Sequence, residues 1–131
     1  MAKKQTVGSL KKKLWKLTSE FVRRRGVDHN GNAECVTCGL VRHWKCLQAG
    51  HFIPKARGLS VYFDLMNLAP QCYRCNINLG GNGPNFYAWM LAERGQSVID
   101  DLQAKSRQTL KIKPSEYMEM IAAMQQRLDM L

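Results

Sequence analysis

Cys35-Val36-Thr37-Cys38 opens a stretch that Cys72-Tyr73-Arg74-Cys75-Asn76 closes, with Ala49-Gly50-His51-Phe52-Ile53-Pro54 and Met66-Asn67-Leu68 between them. Two residues between cysteines let both sulfurs reach one ion from a single turn. Two such pairs separated by a folding unit read as a tetrahedral four-thiolate zinc site. The expected ligands are Cys35, Cys38, Cys72 and Cys75. With every position filled by thiolate, such a zinc has no open site for water or substrate, so its expected role is structural. A strand pair fits between the knuckles, and the metal would staple its start to the helix that closes it.

Outward from that frame, Cys46 to Ile53 alternates weakly and reads as a strand limited by Pro54. Val61-Tyr62-Phe63 reads as a short β-type run. A short helix is expected from about Cys72 to Leu79, stopped by Gly80-Gly81. Asn82-Gly83-Pro84 signals a further helix start. Phe86 to Ala92 is apolar nearly all round, which predicts a buried helix. Val98, Ile99 and Leu102 mark another short helix. Lys105 to Lys113 reads as a linker, and Pro114-Ser115-Glu116 opens a last helix with an apolar stripe. Asp28 to Asn32 reads as a turn, so the Asp28-His29 pair is taken as a decoy for an active site.

The N-terminal segment is densely basic. Leu10, Leu14, Leu17 and Phe21 fall on one helical face, started by Gly8 or Ser9 and ended by Gly26. Lys3, Lys4, Lys11, Lys12, Lys13, Lys16, Arg23, Arg24 and Arg25 are opposed only by Glu20. The chain carries a formal net charge of +10, which points to a polyanionic partner, nucleic acid first. The expected organisation is a basic amphipathic helical arm over residues 1–26, a zinc-stapled core over 27–104, and a linker with a C-terminal helix over 105–131. The expected class is α+β.

No apolar run reaches membrane-span length and no signal-peptide segment follows the N-terminus. A cytoplasmic protein is expected. In that compartment five cysteines argue for metal rather than disulfides. Cys46, outside the knuckles, is expected as a small buried hydrophobe.

His51 ends an apolar strand beside Gly50, and a neutral imidazole can take a proton from water near pH 7. Asn76 could offer an amide oxygen to Mg²⁺, which keeps most of its waters. The amide of Asn67 could hold the loop that fixes the imidazole. Arg57 and Arg74 are candidate phosphate clamps, with ordinary surface charge as the plainer alternative.

The order Cys-x-x-Cys, Gly-His, Asn, Cys-x-x-Cys-Asn resembles the HNH, or ββα-metal, nuclease motif. Gln48 to Pro54, Asn67, Gln71 to Asn76, Gly81-Asn82 and Tyr87 resemble, more narrowly, the phage NinG (Rap) recombination endonucleases over roughly residues 33 to 103. That resemblance implies a small ββα-metal core. It implies His51 as general base, Asn67 as the loop-holding asparagine, and Asn76 as ligand of a catalytic Mg²⁺ or Mn²⁺. It implies cleavage of branched DNA, such as D-loops and Holliday junctions, to 5′-phosphate and 3′-hydroxyl ends. The chain departs from many HNH enzymes at Gly50, where a carboxylate often ligates the metal. His43, Gln48 and Asp64 are the candidates to contribute instead. A junction needs two nicks, so a homodimer is a candidate assembly. A non-catalytic, zinc-stapled DNA-binding module is the alternative reading, and a zinc-dependent protein-interaction domain a third.

Overall fold

The computed structural model describes residues 5–131. Lys3 and Lys4 lie outside them. The class is α+β, with helices at both ends of two small antiparallel sheets.

Helix α1 (Val7–Arg24) starts earlier than Gly8 or Ser9 because the Thr6 hydroxyl caps it, accepting the Ser9 N–H at 3.1 Å. It is not a free arm. Leu10, Leu14 and Val22 are essentially unexposed. Leu10 and Leu14, with half-buried Leu17 and Phe21, pack against Tyr117 and Met124 of the C-terminal helix α5 (Pro114–Asp129). Val22 packs on Ala49 and Leu68 of the central strand pair. The predicted apolar seam is therefore present, and a second apolar stripe beside it makes α1 the bridge between the chain's end and its centre.

Two strands not foreseen, β1 (Asn32–Glu34) and β2 (Val41–His43), form a hairpin around the first knuckle. Gly39, at φ +79°, closes that turn by donating to the Cys35 carbonyl at 2.8 Å. Asp28 organises the preceding turn by accepting the N–H groups of Asn30 and Asn32, each at 2.9 Å. A 3₁₀ turn, Trp44–Cys46, then leads into β3 (Gln48–His51). Cys46 is exposed, contrary to expectation, because that turn faces it outward.

β3 pairs with β4 (Leu68–Gln71), giving the strand pair expected between the knuckles. The second strand is not Val61-Tyr62-Phe63. Those residues belong to or end a helical turn, α2 (Leu59–Tyr62), entered through Gly58 at φ +107°. Val61 there is buried against Ile53 and Ala69, so burial and a neighbouring turn override its β preference. The segment after the second knuckle is a five-residue π-helical turn, Arg74–Asn78, rather than an α-helix from Cys72. Helices α3 (Gly83–Glu93) and α4 (Gln96–Ser106) cover the far side of β4 through Phe86, Met90, Ile99 and Leu102. α3 is not buried all round: Tyr87 and Leu91 are exposed. α5 opens with the Glu116 carboxylate accepting the Lys113 N–H at 3.0 Å.

Candidate metal centre and groove

The four knuckle sulfurs, of Cys35, Cys38, Cys72 and Cys75, all lie within 4.8 Å of one another. The Cys38 and Cys72 sulfurs are 3.7 Å apart. A tetrahedron with metal–sulfur bonds of about 2.3 Å has edges of about 3.8 Å, so the donor set fits a single ion. The cage is supported from outside. Thr37 Oγ1 lies 3.3 Å from Cys35 Sγ, the Asn82 side-chain amide donates to Cys75 Sγ at 3.6 Å, and the Cys75 N–H donates to Cys72 Sγ at 3.5 Å. Burial works to raise the Cys35 pKa, but the Thr37 hydroxyl and nearby N–H groups outweigh it and bring it to about 6. For Cys38 the Leu40 N–H acts to lower the pKa, yet burial and the three neighbouring cysteines push it up to about 12. Four thiolates at this spacing need a cation among them. Val36 N–H, donating to Pro70 O at 3.0 Å, ties the first knuckle to β4.

His51 ends β3 on the wall of an open groove of about 570 Å³. Its Nε2 lies 3.0 Å from the Tyr62 carbonyl. A carbonyl only accepts, so this contact selects the Nε2–H tautomer and leaves the lone pair on Nδ1. The ring stacks on Trp15 with centroids 4.9 Å apart and planes at 19°, and Tyr62 lies at a 4.9 Å centroid distance. Burial lowers the His51 pKa from its ordinary value, and Lys55 lowers it further against the Tyr62 hydrogen bond. The imidazole is thereby kept neutral near pH 7.

Asn67 is wholly buried. Its Oδ1 accepts the Ile53 N–H at 2.8 Å, while Nδ2 donates to the carbonyls of Ile53 at 3.0 Å and Val61 at 3.1 Å. One amide thus fastens the end of β3 to α2, the helix whose Tyr62 carbonyl orients His51. Arg25 and Arg94 brace the same segment from both sides. Each donates to the Leu68 carbonyl, at 2.7 and 3.0 Å.

Asn76 lines the same groove as His51. Its Nδ2 donates to Gln48 Oε1 at 2.8 Å, which leaves Oδ1 as the acceptor of that side chain. Of the three residues considered as substitutes for a carboxylate at position 50, only Gln48 is in the groove. His43 caps the Trp44–Cys46 turn through Lys45 N–H. Asp64 pairs with Lys105 at 2.7 Å and caps Met66 N–H at 2.9 Å. Gly50 itself is required for packing, since a Cβ there would collide with the Gln71 side chain. Gln71 is wholly buried and donates to Thr37 Oγ1 at 3.1 Å and Gly81 O at 2.8 Å. Position 50 is therefore occupied on one face by a side chain that joins β4 to the metal cage.

The family model described as Bacteriophage Lambda NinG protein matches residues 1–131. The chain belongs to the NinG family. No curated protein and no solved structure matches it.

The basic residues of this NinG-family chain are not equivalent. Lys12, Lys13 and Lys16 are exposed on the outer side of α1. Lys11 places its ammonium 4.7 Å from the centre of the Tyr62 ring. Arg23 lines the groove. Arg24 pairs with Glu20 at 3.1 Å and lies 5.5 Å from the Trp44 ring. Arg25 is turned inward onto the carbonyls of Leu65 and Leu68, so its charge serves the fold rather than an outer face. Arg57 and Arg74 are exposed. Arg57 lines a second, smaller cleft with Phe52 and Arg107. Sequence reasoning missed Trp15, Gln48 as partner of Asn76, and Gln71. Gln48 and Gln71 fell inside the stretches that carry the resemblance, without these roles, and Trp15 could have been noticed as an aromatic residue off the predicted seam of an otherwise basic helix.

Proposed function

We propose that the chain is a metal-dependent DNA endonuclease of HNH type, stapled by a structural zinc, that nicks branched recombination intermediates. The observation that carries the reading is one groove holding both an imidazole with a fixed tautomer and an amide with a fixed rotamer. Membership of the NinG family supports a recombination setting.

In this reading His51 Nδ1 takes the proton of the attacking water, and the Tyr62 carbonyl holds the ring while it does so. Asn67 keeps Tyr62 in place. Gln48 holds Asn76, whose remaining side-chain oxygen would hold the cation. The residues lining the groove include no aspartate or glutamate, so the protein offers few hard ligands. Mg²⁺ or Mn²⁺ suits such a place only by taking its remaining ligands from water and the DNA phosphate. When bound, that ion supplies charge for the crowded phosphorus and the leaving 3′ oxygen. Products carry 5′-phosphate and 3′-hydroxyl ends. The zinc, sealed by four sulfurs, stays outside the reaction.

The test is a cleavage panel of duplex, single-stranded, flap, D-loop and four-way DNA, with and without Mg²⁺ or Mn²⁺. The expected result is metal-dependent nicking of branched forms. Tight binding of every form with no cleavage under any ion would replace the nuclease with a DNA-binding module.

A further inference from the structure

Lys11, Trp15, Ser19 and Arg23 recur every four residues and make one stripe along α1. Trp15, Ser19 and Arg23 line the groove. Lys11 sits against Tyr62, which lines it too. The stripe is distinct from the apolar seam that holds α1 to α5, and it adjoins the contact with the strand pair, where Trp15 packs beside Val22, Ala49 and Leu68.

Each end of the stripe presents positive charge, and Arg23 has a further property. Its guanidinium donates to the carbonyl and hydroxyl oxygens of Ser19 at 3.1 and 3.2 Å, and to the Trp44 carbonyl at 3.4 Å. All are neutral. The nearest carboxylate, Glu20, is within bonding distance of Arg24 instead. Burial lowers the Arg23 pKa, only partly opposed by Glu20. A half-buried guanidinium with neutral acceptors gains from an incoming anion. Midway along the stripe, the Trp15 indole lies flat on His51 and edge-on to Tyr62, with a 5.3 Å centroid distance to the latter.

We propose that this stripe is the strand-guiding wall of the groove. Trp15 is a positioning residue that fixes the plane of the His51 ring, and Lys11 and Arg23 grip phosphates on either side of the linkage presented to it. Twelve residues of helix separate the two cations by about 18 Å. Measured along a duplex axis, that spans about five phosphate-to-phosphate steps of one strand at about 3.4 Å of rise each. The outer lysines contribute diffuse attraction only. The role of Trp15 rests on the nuclease reading; the path of the strand does not.

Binding is measured by fluorescence anisotropy on a four-way DNA across a salt series, with the full chain loaded with zinc. Lys11→Ala with Arg23→Ala should lower the slope of log affinity against log salt by nearly two, since each phosphate contact carries about 0.9. Lys12→Ala with Lys13→Ala should lower it by clearly less. Equal slopes for the two pairs overturn the wall. Trp15→Phe should keep affinity and most of the turnover at saturating DNA. Trp15→Leu should keep affinity yet lose about tenfold or more in turnover. Equal turnover in the two variants overturns the positioning role. Trp15→Met, which also lacks a flat face, replaces Trp15→Leu if the latter does not fold. If the wild-type chain cuts nothing, the nuclease reading fails separately. The salt slopes then still decide the wall, and the ring-current shift of the His51 ring protons decides the stacking. That shift should stay near its wild-type size in Trp15→Phe and fall in Trp15→Leu to the part that Tyr62 supplies; an undiminished shift in Trp15→Leu overturns the stack.

Discussion

The metal cage and the groove both adjoin the same strand pair, and they are built in opposite ways. The cage is closed. Its donors come from two short turns, three of the four cysteines are buried, and its outer contacts come from residues close in sequence to the cysteines. The groove is open, and each of its parts comes from a different element: Trp15 from α1, Gln48 and His51 from β3, Tyr62 from α2, Asn76 from the π turn. A closed cage holds a fold together but leaves nothing exposed to react. An open groove can admit a substrate, but it depends on other elements to keep its side chains in place. Gln71 and the β3–β4 ladder join the two.

If that division holds, the largest effect belongs to the cage. Cys38→Ser or Cys72→Ser should abolish the cooperative unfolding transition and zinc retention together, because the binding energy of a structural zinc, about 10–16 kcal/mol in small domains, is largely folding energy. Circular dichroism and metal analysis on the purified variants check it. A folded Cys72→Ser chain without metal would dissolve the contrast.

Next comes the groove. His51→Ala should reduce metal-dependent cleavage of branched DNA by at least about 10²–10⁴, the usual contribution of a general base. Zinc content, melting temperature and DNA affinity should stay near wild type. A variant that cuts normally would remove His51 from the chemistry and leave the groove as a binding surface.

Between the two regions stands Asn67, wholly buried beneath the groove's supporting loop and tied to the fold by its bonds. Asn67→Ala removes three buried hydrogen bonds and strands two carbonyls and an N–H. At about 1–3 kcal/mol for an unsatisfied buried group, a loss of about 3 kcal/mol in denaturant unfolding is expected, along with weakened cleavage. Asn67→Asp should be nearly as damaging, since a carboxylate cannot donate to Val61 and Ile53. Normal stability in either variant would mean the loop is held by Arg25 and Arg94 alone.

The cage was legible from sequence because metal geometry demands neighbours: the two-residue spacing survives in any fold that uses it. His51, Asn67 and Asn76 could be named, but only resemblance tied them together, since nothing local links residues 16 and 9 apart. The contribution of α1 was not legible. Its leucine periodicity located one buried face correctly, yet Val22, Thr18 and Trp15 lie on faces whose burial is decided by β3, β4 and α2. Arg23 and Arg25 illustrate the same limit. They are two residues apart in one basic run, and helical rotation sends one into the groove and the other onto the carbonyls of Leu65 and Leu68. The β-type reading of Val61-Tyr62-Phe63 failed because Gly58 and the Asn67 amide impose a helical turn there. Cys46 is exposed because an unforeseen 3₁₀ turn carries it.

The smallest effect is expected from pH, and it tests whether the groove's exposure differs from the cage's in the way described. Burial, then Lys55, lowers the His51 pKa. The folded pKa therefore lies below the ordinary histidine value of about 6.5. The neutral, proton-accepting ring dominates at pH 7, and turnover should fall tenfold per unit only once pH drops through that lowered value. Folding shares the sign: near pH 6.5 the unfolded chain binds more protons at this residue than the folded one, so its contribution to stability also declines as pH falls. Lys55→Ala removes the smaller of the two lowering influences. It should move the acid limb of the turnover profile upward, toward 6.5, without changing the plateau at saturating DNA. A limb that stays in place would mean Lys55 does not set the histidine, and a limb above 6.5 in the wild type would mean the hydrogen bond to the Tyr62 carbonyl outweighs burial and Lys55 together.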